Sequence, residues 1–263
     1  MYFLLTCGLL LPFFGTTLGA AFIFFMKSSL HPLAEQVMLG FAAGVMTAAS
    51  IWSLLLPSME QASNLGVFSF VPAAAGFLGG VAFLAATDAL VRYLEEKGKP
   101  CPGGGQGQRS MMTLAVIIHN IPEGLAVGVA FGAAAGGDPL GAASGAGMAG
   151  AITLMFGIGL QNLPEGMAVS VPLLREGFSR RKAFFCGQLS GIVEPVAAVL
   201  GAVVAASAES ALPYALAFAA GAMIFVVVEE VVPEAQASGH GDAATLGVMV
   251  GFVVMMCLDV GFG

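Results

Sequence analysis

Apolar stretches of about 20 residues, each long enough as a helix to cover about 30 Å, alternate along this chain with short polar segments. The pattern predicts helices over Tyr2 to Met26, Leu33 to Leu56 (ended by Pro57), Phe70 to Leu90, Met111 to Ala134, Met148 to Pro172, Ala183 to Ser207, Pro213 to Val232 and Ala243 to Val260. Periodicity does not separate a buried helix from a spanning one, but length does. The first stretch has no positive n-region and exceeds the apolar core of a signal peptide, so it reads as a retained helix. Only one polar segment is long: Arg92 to Arg109, which contains Gly103-Gly104-Gly105-Gln106-Gly107 and reads as a flexible cytoplasmic linker. Its glycines lack the Lys-Ser/Thr of a phosphate-binding loop. The expectation is an all-α integral membrane protein, residues 1–263 forming a single polytopic domain of eight spans with no separate soluble domain.

Composition agrees: 58% of residues are hydrophobic and 10% charged, against about 25% charged in a soluble domain. The net charge of −7 says little about partners, because several of the sixteen acidic residues lie inside apolar runs. The expected partners are therefore the lipid bilayer and a small cation, not nucleic acid. Cys7, Cys101, Cys186 and Cys257 are widely spaced, forming neither a disulfide framework nor a zinc knuckle; Cys101 alone stands in a polar loop. All nine Lys and Arg fall in three loops: Lys27; Arg92, Lys97, Lys99 and Arg109; and Arg175, Arg180, Arg181 and Lys182. Positive charge marks the cytoplasmic side, so these odd-numbered loops are cytoplasmic and both termini are extracytoplasmic. The 37 glycines, many inside predicted helices, suit close helix packing in lipid.

The candidate chemistry is one phrase written twice. His119-Asn120-Ile121-Pro122-Glu123-Gly124 lies near the middle of the fourth stretch, and Gln161-Asn162-Leu163-Pro164-Glu165-Gly166 near the middle of the fifth. A carboxylate at membrane depth costs on the order of 3 kcal/mol, and polar groups there are functional by default. His119 and Glu123 are four residues apart and share a helix face, as do Gln161 and Glu165; Asn120 with Glu123 and Asn162 with Glu165 are three apart. Each helix thus offers one carboxylate reachable from two adjoining metal positions. Pro122 and Pro164 have no N–H for the carbonyls of Ile118 and Leu160, leaving those oxygens free. Consecutive spans run in opposite directions, so the two copies form an inverted repeat, an arrangement that holds its substrate near the midplane. Imidazole suits zinc, iron and copper while amides and carboxylates suit harder cations, a mixture of moderate affinity that can release its ion.

Further acids follow. Glu194, before Pro195 in the sixth stretch, is a candidate for the same site; Glu229, Glu230 and Asp259 are candidates for an ion path, as are Met46 and Ser53, two turns apart in the second stretch. Two rivals use some of these residues. Gly239-His240-Gly241-Asp242 spells the GxGD of aspartyl intramembrane proteases, but the partner Tyr-Asp and any HExxH are absent. A proton- or sodium-coupled carrier of another solute needs the same carboxylates yet has less use for His119 beside Glu123.

The duplicated Asn-x-Pro-Glu-Gly, the eight predicted spans and the cytoplasmic loop after the third resemble the ZIP (Zrt/Irt-like) family of divalent-metal transporters over essentially the whole chain. Gln161 to Gly166, Gly187 to Pro195 and Ala219-Ala220-Gly221-Ala222-Met223-Ile224 are most similar to its GufA-type branch. The resemblance implies a 3+2+3 inverted repeat, with one bundle rocking against the other, often as a homodimer. It implies a multi-pass protein of the plasma or inner membrane that is a carrier and not an enzyme. The cargo would be Zn2+, iron, manganese or cadmium moving toward the cytoplasm, with no separate cofactor. It further implies a binuclear site, one position from His119, Glu123, Gln161 and Glu165 and the other from Asn120, Glu123, Asn162, Glu165 and Glu194. Two departures stand out: Gln161 and Asn162 occupy places where relatives carry His and Asp, leaving the second position one charge short. The loop after the third span also lacks the histidines common in the family.

Overall fold

In the computed structural model the described residues are 2–26, 31–97, 106–135, 147–207, 209–237 and 241–262, and no strand occurs among them. The helices are α1 (Tyr2–Ala21), α2 (Pro32–Ala49), α3 (Leu56–Gln61), α4 (Phe70–Lys97), α5 (Gln106–Ala135), α6 (Met148–Arg175), α7 (Arg180–Ser190), α8 (Val193–Ser207), α9 (Leu212–Val226), α10 (Val232–Gln236) and α11 (Gly241–Phe262). Lys27, Cys101 and Gly239-His240 lie outside the described residues. Among the described residues five stretches are long and apolar enough to cross a membrane: Leu33–Gln61, Phe70–Tyr93, Arg180–Ala206, Leu212–Gln236 and Asp242–Phe262; Gly8–Phe24 is a shorter apolar helix. The polar phrase at the centre of α6 lowers its hydropathy and keeps it from that group.

Several predicted boundaries move. Pro57 does not end its helix. Ser50–Leu55 is wound as a π-helix between α2 and α3, and Pro57 then falls in the first turn of α3, where its missing N–H costs nothing. The same device recurs at Val227–Val231, which carries the chain past Pro233 into α10. The sixth predicted helix is instead broken at Gly191-Ile192 into α7 and α8, placing Glu194 in the first turn of α8. The predicted linker is shorter than Arg92 to Arg109, since α4 continues to Lys97 and α5 begins at Gln106. Pro122 and Pro164 stay inside unbroken helices. Two caps fix the ends that face each other: the Ser179 side chain accepts from Lys182 N–H at the start of α7, and the Arg180 guanidinium donates to the carbonyls of Ile23 (2.6 Å), Phe24 (3.1 Å) and Met26 (2.8 Å) just beyond α1.

Packing follows the glycines. A Cβ at Gly44 of α2 would lie 2.0 Å from the Val248 carbonyl oxygen of α11, and one at Gly251 of α11 2.1 Å from that of Phe41. In the other half, a Cβ at Gly221 of α9 would lie 2.1 Å from Phe77 O of α4, and one at Gly80 of α4 2.0 Å from Phe218 O. The hexapeptides that carry these contacts are themselves alike, Phe41-Ala42-Ala43-Gly44-Val45-Met46 and Phe218-Ala219-Ala220-Gly221-Ala222-Met223. The second pair of pairs obeys the same rule: Gly166 of α6 meets Thr16 O of α1, and Gly124 of α5 meets Glu194 O of α8. In each pair the contact numbers rise together, as Gly15 and Gly19 do against Gly159 and Leu163, so the paired helices are parallel. Between these groups the contacts are made by side chains, with Met46, Leu54, Phe131, Leu154, Met155, Ile158, Met223 and Met255 fully or nearly buried in one core.

Backbone contact at a glycine leaves no room for a methyl group. Gly44→Ala should therefore destabilise the protein by about 1–3 kcal/mol despite alanine's better helix propensity. Gly79→Ala, whose Cβ would sit 3.6 Å from Phe218, should stay within about 0.5 kcal/mol of the parent. Thermal denaturation in detergent compares them, and equal losses at the two glycines would contradict this packing.

Candidate metal centre

Five side chains of the duplicated phrase gather with Glu194 in one helical group. Asn120, Glu123, Gln161, Asn162 and Glu194 are all fully buried, Glu165 partly so. Their meeting is a consequence of the glycine contacts: Gly124 lets α5 touch the backbone of α8 at Glu194, and Gly166 lets α6 touch α1 at Thr16. The break at Gly191-Ile192 aims Glu194 inward from the start of α8, where the helix dipole favours a carboxylate.

Glu194 is the hub. Its Oε1 accepts from Thr16 Oγ1 at 2.8 Å and Asn120 Nδ2 at 3.0 Å, and its Oε2 from Asn162 Nδ2 at 2.9 Å. The two asparagines are placed alike: Asn120 Nδ2 also donates to Ser190 O at 3.1 Å, and Asn162 Nδ2 to Pro12 O at 3.3 Å and Thr16 Oγ1 at 3.2 Å. Gln161 Nε2 donates to Asn162 Oδ1 at 2.6 Å. Thr16 is the member of this cluster that the sequence pattern does not single out. Its signal lies in the repeat: Thr16 stands to Gly166 as Glu194 stands to Gly124, but a Thr opposite a Glu shows no likeness when the segments are read separately.

On the other side of the amides the situation reverses. Glu123 has the side chains of Gln161, Glu165 and Asn162 within reach of its carboxylate, but none makes a hydrogen bond of good geometry to it. Gln161 Oε1, Asn120 Oδ1 and Glu165 Oε2 are equally without a donor. Five buried oxygens without a hydrogen-bond partner, on Asn120, Glu123, Gln161 and Glu165, are what a bound cation can satisfy. Among the described residues no three His, Cys, Asp or Glu side chains gather into a cage of their own; the donors present are mixed amide and carboxylate oxygens.

The remaining sequence candidates spread outward. His119 is mostly buried and its Nε2 lies 2.6 Å from Glu230 Oε1, across from α5 to the π-helical turn after α9. Glu229, the next residue, is exposed and pairs with Arg92 at 3.1 Å, which also holds Asp88 at 2.9 Å. Ser53 Oγ donates to Asp259 Oδ1 at 2.7 Å, joining the π-helical turn after α2 to the end of α11. Met46 is buried in the apolar core, and its carbonyl accepts from Ser50 Oγ at 2.8 Å.

Membrane-length helices around a buried cluster of amides and carboxylates define a multi-pass membrane protein. The sequence of residues 107–259 matches the family described as ZIP Zinc transporter, and the chain belongs to that family. It is 40% identical to the zinc transporter ZIP11 of Xenopus tropicalis, covering 97% of this chain and 96% of the relative. It is 36% identical to the zinc transporter GufA of Myxococcus xanthus, covering 95% of each. The zinc transporter ZIPB of Bordetella bronchiseptica is 35% identical, with 95% of this chain and 79% of the relative covered. The family consists of transporters rather than enzymes.

Proposed function

We propose that the protein carries divalent transition-metal ions, zinc foremost and iron, manganese or cadmium as related cargo, toward the cytoplasm through the buried centre on α5, α6 and α8. The observation that carries this reading is the set of unpaired buried oxygens on Asn120, Glu123, Gln161 and Glu165. His119 adds an imidazole at the edge of that set, and Asn162 and Glu194 complete the polar cluster. A chain that only packed its helices would have no use for acceptors without donors at this depth.

The ion's path would run past the centre from the Ser53–Asp259 pair to the His119–Glu230 pair. We read α1, α2–α3, α4, α5, α6, α7–α8, α9–α10 and α11 as eight spans, with both termini outside. The parallel pairs support that count: spans one and five, four and six, two and eight, three and seven each join helices that alternate crossing would send the same way. The pairs also fall into two bodies. One holds α1, α5, α6, α7 and α8 with every member of the polar centre, and the other holds α2, α4, α9 and α11. The bodies meet through side chains and through the His119–Glu230 and Arg175–Glu35 contacts, the latter 3.0 Å long. Motion of one body against the other would expose the centre to each side in turn, without dismantling it.

Glu123→Ala or Glu165→Ala should lower Zn2+ uptake into proteoliposomes by about 10- to 100-fold or more, with the folded protein still in the membrane. Uptake near the parent's in either variant would sink the assignment. Uptake should also fall as pH drops from about 7 to about 5, because ionised carboxylates and neutral imidazole bind metal while their protonated forms do not. Initial rates across that range give the profile, and a flat one would remove His119 and the carboxylates from the ion's path.

A further inference from the structure

Resting on that reading, we infer that Thr16 is a positioning residue of the centre: its hydroxyl sets the orientation of the Asn162 amide and, through it, that of Gln161. Thr16 stands on α1, outside the duplicated phrase, and is fully buried. Its oxygen is not among the unpaired ones, so it acts through other side chains.

The hydrogen bonds around Thr16 close into a ring. A threonine hydroxyl has one hydrogen to give and lone pairs with which to accept. Thr16 Oγ1 lies 2.8 Å from Glu194 Oε1 and 3.4 Å from Pro12 O, so its hydrogen goes to the carboxylate. A lone pair then faces Asn162 Nδ2 at 3.2 Å, and the same nitrogen reaches Glu194 Oε2 at 2.9 Å. Within this ring Asn162 only donates and Glu194 only accepts, while the Thr16 hydroxyl does both.

The ring has a direction, and the direction passes outward. Pro12 O, Thr16 Oγ1 and Glu194 Oε2 all take the nitrogen end of the Asn162 amide, which turns its oxygen end to Gln161. Asn162 Oδ1 accepts from Gln161 Nε2 at 2.6 Å, and Gln161 Oε1 is left as one of the buried oxygens without a partner. The reversed arrangement would set Asn162 Oδ1 against a carboxylate oxygen and would engage Gln161 Oε1 in place of its nitrogen. Thr16 offers that arrangement no support, because its hydrogen is already given to Glu194. Loss of the hydroxyl would put an apolar group against Glu194 Oε1 and take an acceptor from Asn162, loosening both amides together.

Thr16 also packs, and two substitutions separate packing from hydrogen bonding. A Cβ on Gly191 would lie 2.9 Å from Thr16 Cβ and 3.0 Å from its Cγ2, so the carbon atoms of Thr16 rest on the break between α7 and α8. Thr16→Val keeps that shape and loses the hydroxyl; Thr16→Ser keeps the hydroxyl and loses the methyl. The test is the initial rate of Zn2+ uptake into proteoliposomes against Zn2+ concentration, on the full chain and each variant. Thr16→Val is expected to raise the KM for Zn2+ about 10-fold, and Thr16→Ser to stay close to the parent. An unchanged KM in Thr16→Val, or a larger rise in Thr16→Ser, overturns the positioning role and leaves the transport reading intact. A parent chain that takes up no Zn2+ overturns the transport reading itself. If Thr16→Val does not fold, Thr16→Ala is compared with Thr16→Ser: both lack the methyl and only serine has the hydroxyl, so equal KM values overturn the proposal.

Discussion

Helix-to-helix contact through bare backbone is the constraint on which this molecule rests. Lipid offers no apolar driving force between helices, so association depends on how closely two backbones approach. Gly44, Gly251, Gly221 and Gly80 bring α2 to α11 and α9 to α4 with no space for a Cβ, and Gly124 and Gly166 do so for α5 with α8 and α6 with α1. Each contact sets the axial register of its pair. Register, in turn, decides that Asn120 is level with Ser190 and Glu194, and Asn162 with Pro12 and Thr16. A slip of one turn in either pair would bury the same polar groups without partners.

The buried centre then divides by donor supply. A carboxylate removed from water must be matched by hydrogens or by a cation. Glu194 accepts hydrogens from three side chains; Glu123 has amides beside it but no hydrogen bond of good geometry. Both asparagines give nitrogen to Glu194, while the Asn162 oxygen accepts from Gln161 and the Asn120 oxygen has no partner.

Much of this was legible in the residues. The duplicated phrase marked α5 and α6 and the residues between them, and Glu194 was visible as an acid before a proline inside an apolar run. The elements existed where apolar length placed them, while their ends did not, since a proline reads as a stop unless a π-helical turn precedes it. Ser50–Leu55 and Val227–Val231 carry no residue pattern that announces such a turn. Thr16 was invisible for a different reason: a hydroxyl in an apolar helix is common, and its partner was 178 residues away. Helical spacing puts His119 on the face of Glu123, but its bond to Glu230 depends on how the end of α9 lies against α5 and has no signal in either helix alone.

The two-fold correspondence of the halves is close in the backbone and broken in the chemistry. Gly124 and Gly166, Asn120 and Asn162, and Glu123 and Glu165 repeat, so the pairing of helices and the placement of the amides repeat with them. His119 faces Gln161 across the repeat, and Thr16 faces Glu194. The two π-helical turns differ most: one offers Ser53, bonded to Asp259, and the other offers Glu229 and Glu230, with Glu234 following. A site with two equivalent exits would bind a cation without preferring either. Among the described residues the acidic turn also carries the one bond from the repeated phrase to the other group of helices, His119 Nε2 to Glu230. The repeated parts fix the pairing of the helices, and the unrepeated ones make the two ends of the molecule chemically unlike.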